Sequence, residues 1–160
     1  MTAYRPKKTI GDFLANKANI SRNQGVLVDA VSQYRTRFPS VGKWGAIGLC
    51  WGGKVTALAS GDETPFTASG QVHPGLIDPA DAGALTIPHI VLASKDEPVD
   101  AVAAYADIIA KNGKGGHVET YSTMWHGWMG ARADLAAEAG RAEYIRGYAQ
   151  LADFFEKHLV

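Results

Sequence analysis

Short strand-like segments alternate with helix-like patterns along most of this chain, and this alternation limits the folds that it can adopt. Residues 44–49, 66–72, 87–93 and 118–121 are stretches of strand length. Around them, apolar residues recur at spacings of three and four, which is typical of helices that bury one face. Strands separated by helices predict βαβ units. The predicted fold class is therefore α/β, with a mostly parallel sheet and helices on both of its faces.

Helices are predicted before, between and after these strands. The first begins near Gly25 and stops before Pro39, because the residue before a proline disfavours helical geometry. Residues 52–59 read as a helix of small residues, and residues 74–88 as a long loop. The apolar faces of the other helices are formed by Leu27, Val31, Tyr34 and Phe38, by Val102, Tyr105 and Ile109, and by Tyr144, Tyr148, Leu151, Phe155 and Leu159.

Composition excludes several classes of protein. The 160 residues suit one domain, 1–160, and a hydrophobic content of 46% argues against disorder. Lys+Arg 16 against Asp+Glu 16 gives no electrostatic case for nucleic acid or a membrane surface. Residues 1–10 lead into no apolar segment of a signal peptide, so we expect a soluble, cytoplasmic protein. A single cysteine excludes an internal disulfide and a paired-cysteine metal or redox motif.

That cysteine lies in the most informative segment, Gly48-Leu49-Cys50-Trp51-Gly52-Gly53, between a predicted strand and a predicted helix. The spacing matches the thiol form of the nucleophile elbow, a strained turn that projects its central side chain above the sheet. The helix start favours a thiolate, and the backbone N–H of Trp51 is placed to stabilise an oxyanion. A tight turn with a buried cysteine is the alternative interpretation.

The order of polar residues along the chain supports the elbow. Enzymes with this turn place an acid and then a histidine after the nucleophile. Here Asp96 and His126 each follow a predicted strand, so both belong to the carboxyl edge of the sheet. Asp96 is also a candidate helix N-cap, which leaves Asp100 as an alternative acid. His73 ends a strand near the same edge and is expected to neighbour the site.

The three remaining histidines are assigned elsewhere, His89 to a strand as a core residue, His117 to a strand start and His158 to a helix end. The predicted catalytic residues are then Cys50 as nucleophile, His126 as base and Asp96 as the acid that orients the imidazole. No metal or organic cofactor is required by this chemistry. Trp51, Trp125 and Trp128 are candidates for an aromatic substrate-binding wall, with ordinary core packing as the alternative. Arg132 is a candidate for binding an anionic substrate group, and a solvated surface arginine is its alternative.

The sequence resembles the dienelactone hydrolase family of the α/β-hydrolase superfamily. The resemblance is carried by Gly48-Leu49-Cys50-Trp51-Gly52-Gly53-Lys54, His73-Pro74-Gly75, Ser94-Lys95-Asp96-Glu97 and His126-Gly127-Trp128, with Arg132 following. It implies a Cys50, Asp96 and His126 triad that hydrolyses a small ester or lactone without a cofactor. In the family the type substrate is a dienelactone bearing a carboxylate.

The chain departs from the family before residue 25, where nothing replaces the early strands, the second oxyanion donor or an acidic residue that meets the resting cysteine. We therefore expect a partial α/β-hydrolase fold with an exposed sheet edge: the chain is either a fragment or truncated product, or it covers that edge in a homo-oligomer. A non-catalytic relative that acts as a binding or assembly subunit is the alternative function. A thiol redox sensor is weakened by the absence of a second cysteine, and a nucleotide binder by the absence of a glycine-rich phosphate loop.

Overall fold

The computed structural model describes residues 9–160, and residues 1–8, with Arg5, Lys7 and Lys8, lie outside the description. Four strands alternate with helices along the rest of the chain. The strands are β1 (Gly45–Leu49), β2 (Ala68–Val72), β3 (His89–Ser94) and β4 (His117–Tyr121). The helices are α1 (Ile10–Asn16), α2 (Ile20–Arg37), α3 (Trp51–Leu58), α4 (Pro79–Ala84), α5 (Val99–Lys111) and α6 (Glu138–Leu159).

The four strands form one parallel sheet in the order β1-β2-β3-β4. Leu49 pairs with Val72, Val72 with Leu92, and Ser94 with Tyr121, so the strands end close to one another. Their carboxyl ends therefore make a single rim, where an open α/β sheet places its ligand site. The predicted α/β class and parallel sheet are confirmed.

Alternation along the strands divides the core into two layers. On one face, α6 supplies Leu151 and Phe154 to a cluster with Ile90 and Leu92. On the other face, α4 and α5 pack around Val91, and α2 packs over Ala46. Helices therefore cover both faces of the sheet, and the loops after the strands lie at its carboxyl edge.

The structure corrects two predicted boundaries. The first long helix begins at Ile20 rather than near Gly25, because the Asn19 side chain caps it by accepting from the Arg22 N–H at 2.9 Å. The predicted loop over residues 74–88 contains α4, which starts with Asp78 as N-cap and Pro79 in the first turn. An aspartate followed by a proline is a common helix start. Because α4 is only 6 residues long, no apolar periodicity accompanies this signal in the sequence.

One edge of the sheet is open within the described residues. Strand β1 has no strand on its outer side within residues 9–160, and Ile47 at its centre is exposed. None of the helices described is both long and apolar enough to cross a bilayer.

Candidate active site

Cys50 occupies a strained turn between β1 and α3. Its backbone has φ 55° and ψ −121°, a conformation that L-residues rarely adopt, and its side chain is exposed. Backbone hydrogen bonds hold the turn from both sides, since the Cys50 N–H donates to Val72 O at 3.1 Å and the Gly75 N–H donates to Cys50 O at 2.9 Å. Strain at an exposed, tightly held cysteine is typical of a nucleophile rather than a packing residue.

Glycines make the turn sterically possible. A Cβ at Gly48 would lie 2.0 Å from Gly52 O, where no side chain fits. A Cβ at Gly75 would lie 3.2 Å from Cys50 C and from Trp51 N, so the loop after β2 also needs a glycine to approach the elbow. The sequence spacing therefore reflects two close backbone contacts.

Helix α3 is fixed behind the elbow by a largely buried ion pair. Lys54 Nζ lies 2.6 Å from Asp81 Oδ2 on α4, and the side chains are 15% and 9% exposed. Trp51 opens α3, so its backbone N–H has no partner within the helix and remains an oxyanion donor by position. The Trp51 indole donates to Ala18 O at 3.0 Å, which ties the turn between α1 and α2 to the elbow.

His126 lies on the loop after β4 and is held by an acid on the loop after β3. Its Nδ1 is 2.8 Å from Glu97 Oε1, and the Glu97 side chain is only 2% exposed. The other oxygen of Glu97 accepts from the Ser94 backbone N–H. Because an ionised carboxylate can only accept, it places the proton of a neutral imidazole on Nδ1 and leaves the Nε2 lone pair free.

The prediction that Asp96 holds the imidazole is wrong in this structure. Asp96 is exposed, and its Oδ2 accepts instead from the backbone N–H of His126 at 2.9 Å. The turn after β3 directs Glu97 inward and Asp96 outward, so adjacent acids contact different parts of one residue. Asp100, the alternative acid, is an exposed residue of α5. The sequence Asp96-Glu97 contained the signal, since either carboxylate fits the order of the triad.

His73 sits next to His126 on the same rim. Their ring centroids are 5.0 Å apart, edge to face, and His73 is 2% exposed with φ 36°. Neither ring nitrogen of His73 has a hydrogen-bond partner among the described residues. Burial, followed by the charge of His126, lowers the pKa of His73, so its ring is held neutral.

Cys50 and His126, the predicted nucleophile and base, are not hydrogen-bonded to each other. No hydrogen bond joins the Cys50 thiol to either rim histidine within the part of the chain that the structure describes. In enzymes, catalytic hydrogen bonds are often long before substrate binds, so the two predicted roles stay a prediction. Across residues 9–160 there is also no group of three or more histidine, cysteine, aspartate or glutamate side chains arranged for a metal ion.

The predicted aromatic wall separates into three different roles. Trp128 is 1% exposed and packs on Tyr121 at 4.4 Å between ring centroids, so its prediction as a substrate contact is wrong and core packing is correct. Trp125 is half-buried and donates through its indole to Arg132 O at 3.0 Å. Trp51 lines an open surface cavity of about 300 Å³, with Ile47, Gly48 and Leu49 on its walls.

Arg132 contacts the loop of His126 rather than open space. Its Nη1 donates to His126 O at 2.9 Å, although the residue is exposed. From the sequence, Arg132 is predicted to contact either an anionic substrate group or solvent. No sequence pattern predicts the hydrogen bond from the Arg132 side chain to the His126 carbonyl, because it depends on how the loop folds back.

Comparison with known proteins identifies the family of this chain. It matches the dienelactone hydrolase family over residues 4–159. The chain belongs to the dienelactone hydrolase family. Family and fold are those of hydrolytic enzymes. An uncharacterised AIM2 family protein of Schizosaccharomyces pombe is 32% identical over 98% of this chain, and a second is 37% identical over 72%. The chain covers 65% of the first relative and 47% of the second, so it spans about half to two-thirds of their length.

Solved structures agree on the fold of this dienelactone hydrolase family member. A Klebsiella pneumoniae protein classed with dienelactone hydrolases superposes with a TM-score of 0.72 at 17% identity, over 96% of this chain and 68% of that one. Pyrococcus horikoshii acylaminoacyl peptidase gives a TM-score of 0.64 at 16% identity, over 85% of this chain and 27% of that one. The shared architecture is that of an α/β hydrolase.

Proposed function

We propose that the chain is a cysteine hydrolase that cleaves a small carboxylic ester or lactone through an acyl-enzyme. The observation that carries this proposal is the strained, exposed Cys50 on the same rim as a histidine bonded to a buried carboxylate. An unfavourable backbone at the nucleophile and an oriented base are two independent requirements of nucleophilic catalysis.

In the first step His126 Nε2 takes the thiol proton, and the Cys50 sulfur attacks the ester carbonyl carbon. A carbon–sulfur bond forms, the carbon–oxygen bond to the alcohol breaks, and His126 returns the proton to the departing oxygen. Glu97 stabilises the imidazolium that forms between these transfers, and the Trp51 N–H stabilises the oxyanion. Water then attacks the thioester with His126 as base, releasing the acid and regenerating the thiol.

An open surface cavity of about 300 Å³ borders the elbow, lined by Trp51, Leu49 and Ile47 with Val26 and Leu27 of α2 opposite them. Cys50 and His126 are not among its lining residues, so the acyl group is not assigned to this cavity. A lactone substrate differs from an open ester only in that the alcohol stays attached to the acyl group.

The experiment is the intact mass of the protein after brief exposure to a nitrophenyl ester, beside Cys50→Ala and His126→Ala. We expect one acyl adduct on the wild type, none on Cys50→Ala, and slow formation and slow loss on His126→Ala. Thr123→Ala, an exposed substitution on the same loop, is the matched control and should behave as the wild type. Wild-type protein that is folded but takes no adduct would contradict the proposal.

A binding or assembly subunit is the second candidate, because β1 leaves an open edge and no hydrogen bond joins Cys50 to His126 within residues 9–160. In that case a second copy of the chain covers β1. Sedimentation of a dimer or larger particle, together with no Cys50-dependent turnover, would favour this function over catalysis.

A further inference from the structure

His126 is held through its backbone as well as through its ring. The His126 N–H donates to Asp96 Oδ2 at 2.9 Å, and the His126 C=O accepts from Arg132 Nη1 at 2.9 Å. Two side chains of opposite charge therefore bracket one residue, and both of these bonds are to its backbone. Hydrogen bonds with one ionised partner are roughly twice as strong as neutral ones.

The acidic side of this arrangement belongs to a continuous junction between two rim loops. Three consecutive residues after β3 reach the loop after β4: the Lys95 N–H donates to Met124 O at 3.1 Å, Asp96 bonds the His126 N–H, and Glu97 bonds the His126 ring. The turn after β3 thus fixes both the backbone and the imidazole of His126. Of the two acids, Glu97 bonds the His126 ring, whereas Asp96 bonds only the backbone N–H of His126.

The basic side depends on a glycine. Gly127 has φ 92°, and a Cβ there would lie 3.1 Å from Arg132 Cδ, so the arginine stem lies over the glycine. The Arg132 N–H also donates to Gly127 O at 3.1 Å, and Arg132 O accepts from the Trp125 indole at 3.0 Å. The loop is folded back on itself so that the guanidinium meets the His126 carbonyl.

We propose that Asp96 and Arg132 are positioning residues that hold the His126 peptide from its two sides and so set the distance from the imidazole to the Cys50 thiol. This inference rests on the proposed function for its kinetic consequence. Misplacement of a catalytic group by about 1 Å costs about 100-fold in rate. Because each bond is a single contact at an exposed site, we expect about a tenfold loss when either is removed.

Suitable substitutions distinguish a positioning role from the roles predicted from the sequence, in which Asp96 is the triad acid and Arg132 binds an anionic substrate group. An asparagine at position 96 keeps an oxygen that accepts from the His126 N–H but carries no charge, so it supports a backbone contact and not a triad acid. A glutamine at position 132 removes the guanidinium. If Arg132 bound a substrate carboxylate, its loss would slow only the anionic ester, whereas a positioning role slows anionic and neutral esters equally.

The experiment measures Cys50 acylation by a neutral nitrophenyl ester and by one whose acyl group ends in a carboxylate. The variants are Asp96→Ala, Asp96→Asn, Arg132→Gln and the double variant Asp96→Ala/Arg132→Gln, with Asp100→Ala and Arg141→Gln as matched exposed controls. We expect about tenfold slower acylation for Asp96→Ala and Arg132→Gln with both esters, and recovery to within about threefold for Asp96→Asn. The double variant should lose less than the product of the single losses, because both contacts act on one peptide.

A second measurement reports the contact without catalysis. The His126 amide proton should move upfield in the nitrogen-15 correlation spectrum of Asp96→Ala and return toward its original position in Asp96→Asn. Thermal melting confirms that each variant is folded, and Asp100→Ala should leave the resonance in place.

Several results would overturn the inference: acylation of Asp96→Ala within twofold of wild type, equal losses for Asp96→Asn and Asp96→Ala, or an Arg132→Gln loss confined to the anionic ester. If the wild type takes no acyl adduct, the proposed function fails, and the amide resonance then decides the inference alone. An unmoved His126 amide in Asp96→Ala would refute it.

Discussion

The Cys50 elbow and the His126 loop lie on the same rim and are held in place by different kinds of interaction. The elbow is determined by backbone sterics, since Gly48 leaves only 2.0 Å between a hypothetical Cβ and Gly52 O. The His126 loop is determined by side-chain hydrogen bonds, from Glu97 to its ring and from Asp96 to its backbone. Steric requirements allow one residue type, whereas hydrogen-bond requirements can be met by several.

This difference explains why the structure of the Cys50 turn can be predicted from the sequence and the partner of His126 cannot. A glycine at a fixed distance from a cysteine can be recognised without a structure, because nothing else fits. Two adjacent carboxylates cannot be ranked from the sequence, because which one turns inward depends on the tertiary path of the turn after β3. The strained turn at Cys50 is therefore readable from the sequence, whereas the acid that bonds the His126 ring is not.

The largest expected effect comes from breaking the steric region. Gly48→Ala places a Cβ against the Gly52 carbonyl, and we expect a loss of about 4 kcal/mol or more in the free energy of unfolding, measured by urea titration. Gly52→Ala is the matched control, because a Cβ there meets nothing within 4 Å. It should be neutral or slightly stabilising, since alanine favours the helix. Equal losses for the two variants would contradict the steric account.

A smaller effect is expected at His73, which lies between the two regions. Burial lowers its pKa in the folded protein below the usual histidine value of 6.5, so the unfolded chain binds the proton more readily. Stability present above pH 6.5 is therefore lost as the pH falls from 6.5 toward the folded pKa. One such group contributes a slope of at most about 1.4 kcal/mol per pH unit.

Replacing His73 tests this sign. His73→Asn should flatten the acid limb of a plot of unfolding free energy against pH, and asparagine tolerates a positive φ. His89 is the control away from the rim, a residue bonded to Ser69 Oγ at 2.7 Å whose burial lowers its pKa to about 3. His89→Gln should also flatten the limb but leave Cys50 acylation unchanged. A limb that steepens in His73→Asn would be inconsistent with a neutral buried ring.

In the hydrogen-bonded loop we expect a smaller effect than that of Gly48→Ala. Gly127→Ala forces a side chain into φ 92° and against the Arg132 stem, so we expect a loss of roughly 1 to 3 kcal/mol. Calorimetric melting measures it, and Gly130→Ala, whose nearest contact would be at 3.4 Å, is the comparison on the same loop. If Gly127→Ala cost as much as Gly48→Ala, the contrast between the two regions would disappear.

Much of the fold could be predicted because it follows from periodicity. The apolar face containing Val102, Tyr105 and Ile109 lies on α5, and Leu151 of the last helix is buried in the core. The boundary of α2 and the existence of α4 could not be predicted from periodicity, because both depend on caps at Asn19 and Asp78 rather than on apolar spacing.

Within the site, the sequence identified the elements but not the partners. Cys50, His126 and His73 lie on the predicted rim, yet Trp128 lies in the core and Arg132 bonds a carbonyl. An aromatic residue next to a candidate catalytic histidine has the same local pattern whether it faces the core or the rim. Trp128 faces the core because its ring packs on Tyr121, the last residue of β4. This contact is not visible in the local sequence.

The central claim is that Glu97, and not Asp96, is the acid that supports His126. The most direct measurement compares Cys50 acylation by a nitrophenyl ester in Glu97→Gln and Asp96→Asn. We predict that Glu97→Gln slows acylation by about 10³- to 10⁴-fold, because it removes the charge that stabilises the imidazolium, while Asp96→Asn stays within about threefold of wild type. A large loss in Asp96→Asn with little change in Glu97→Gln would contradict the account.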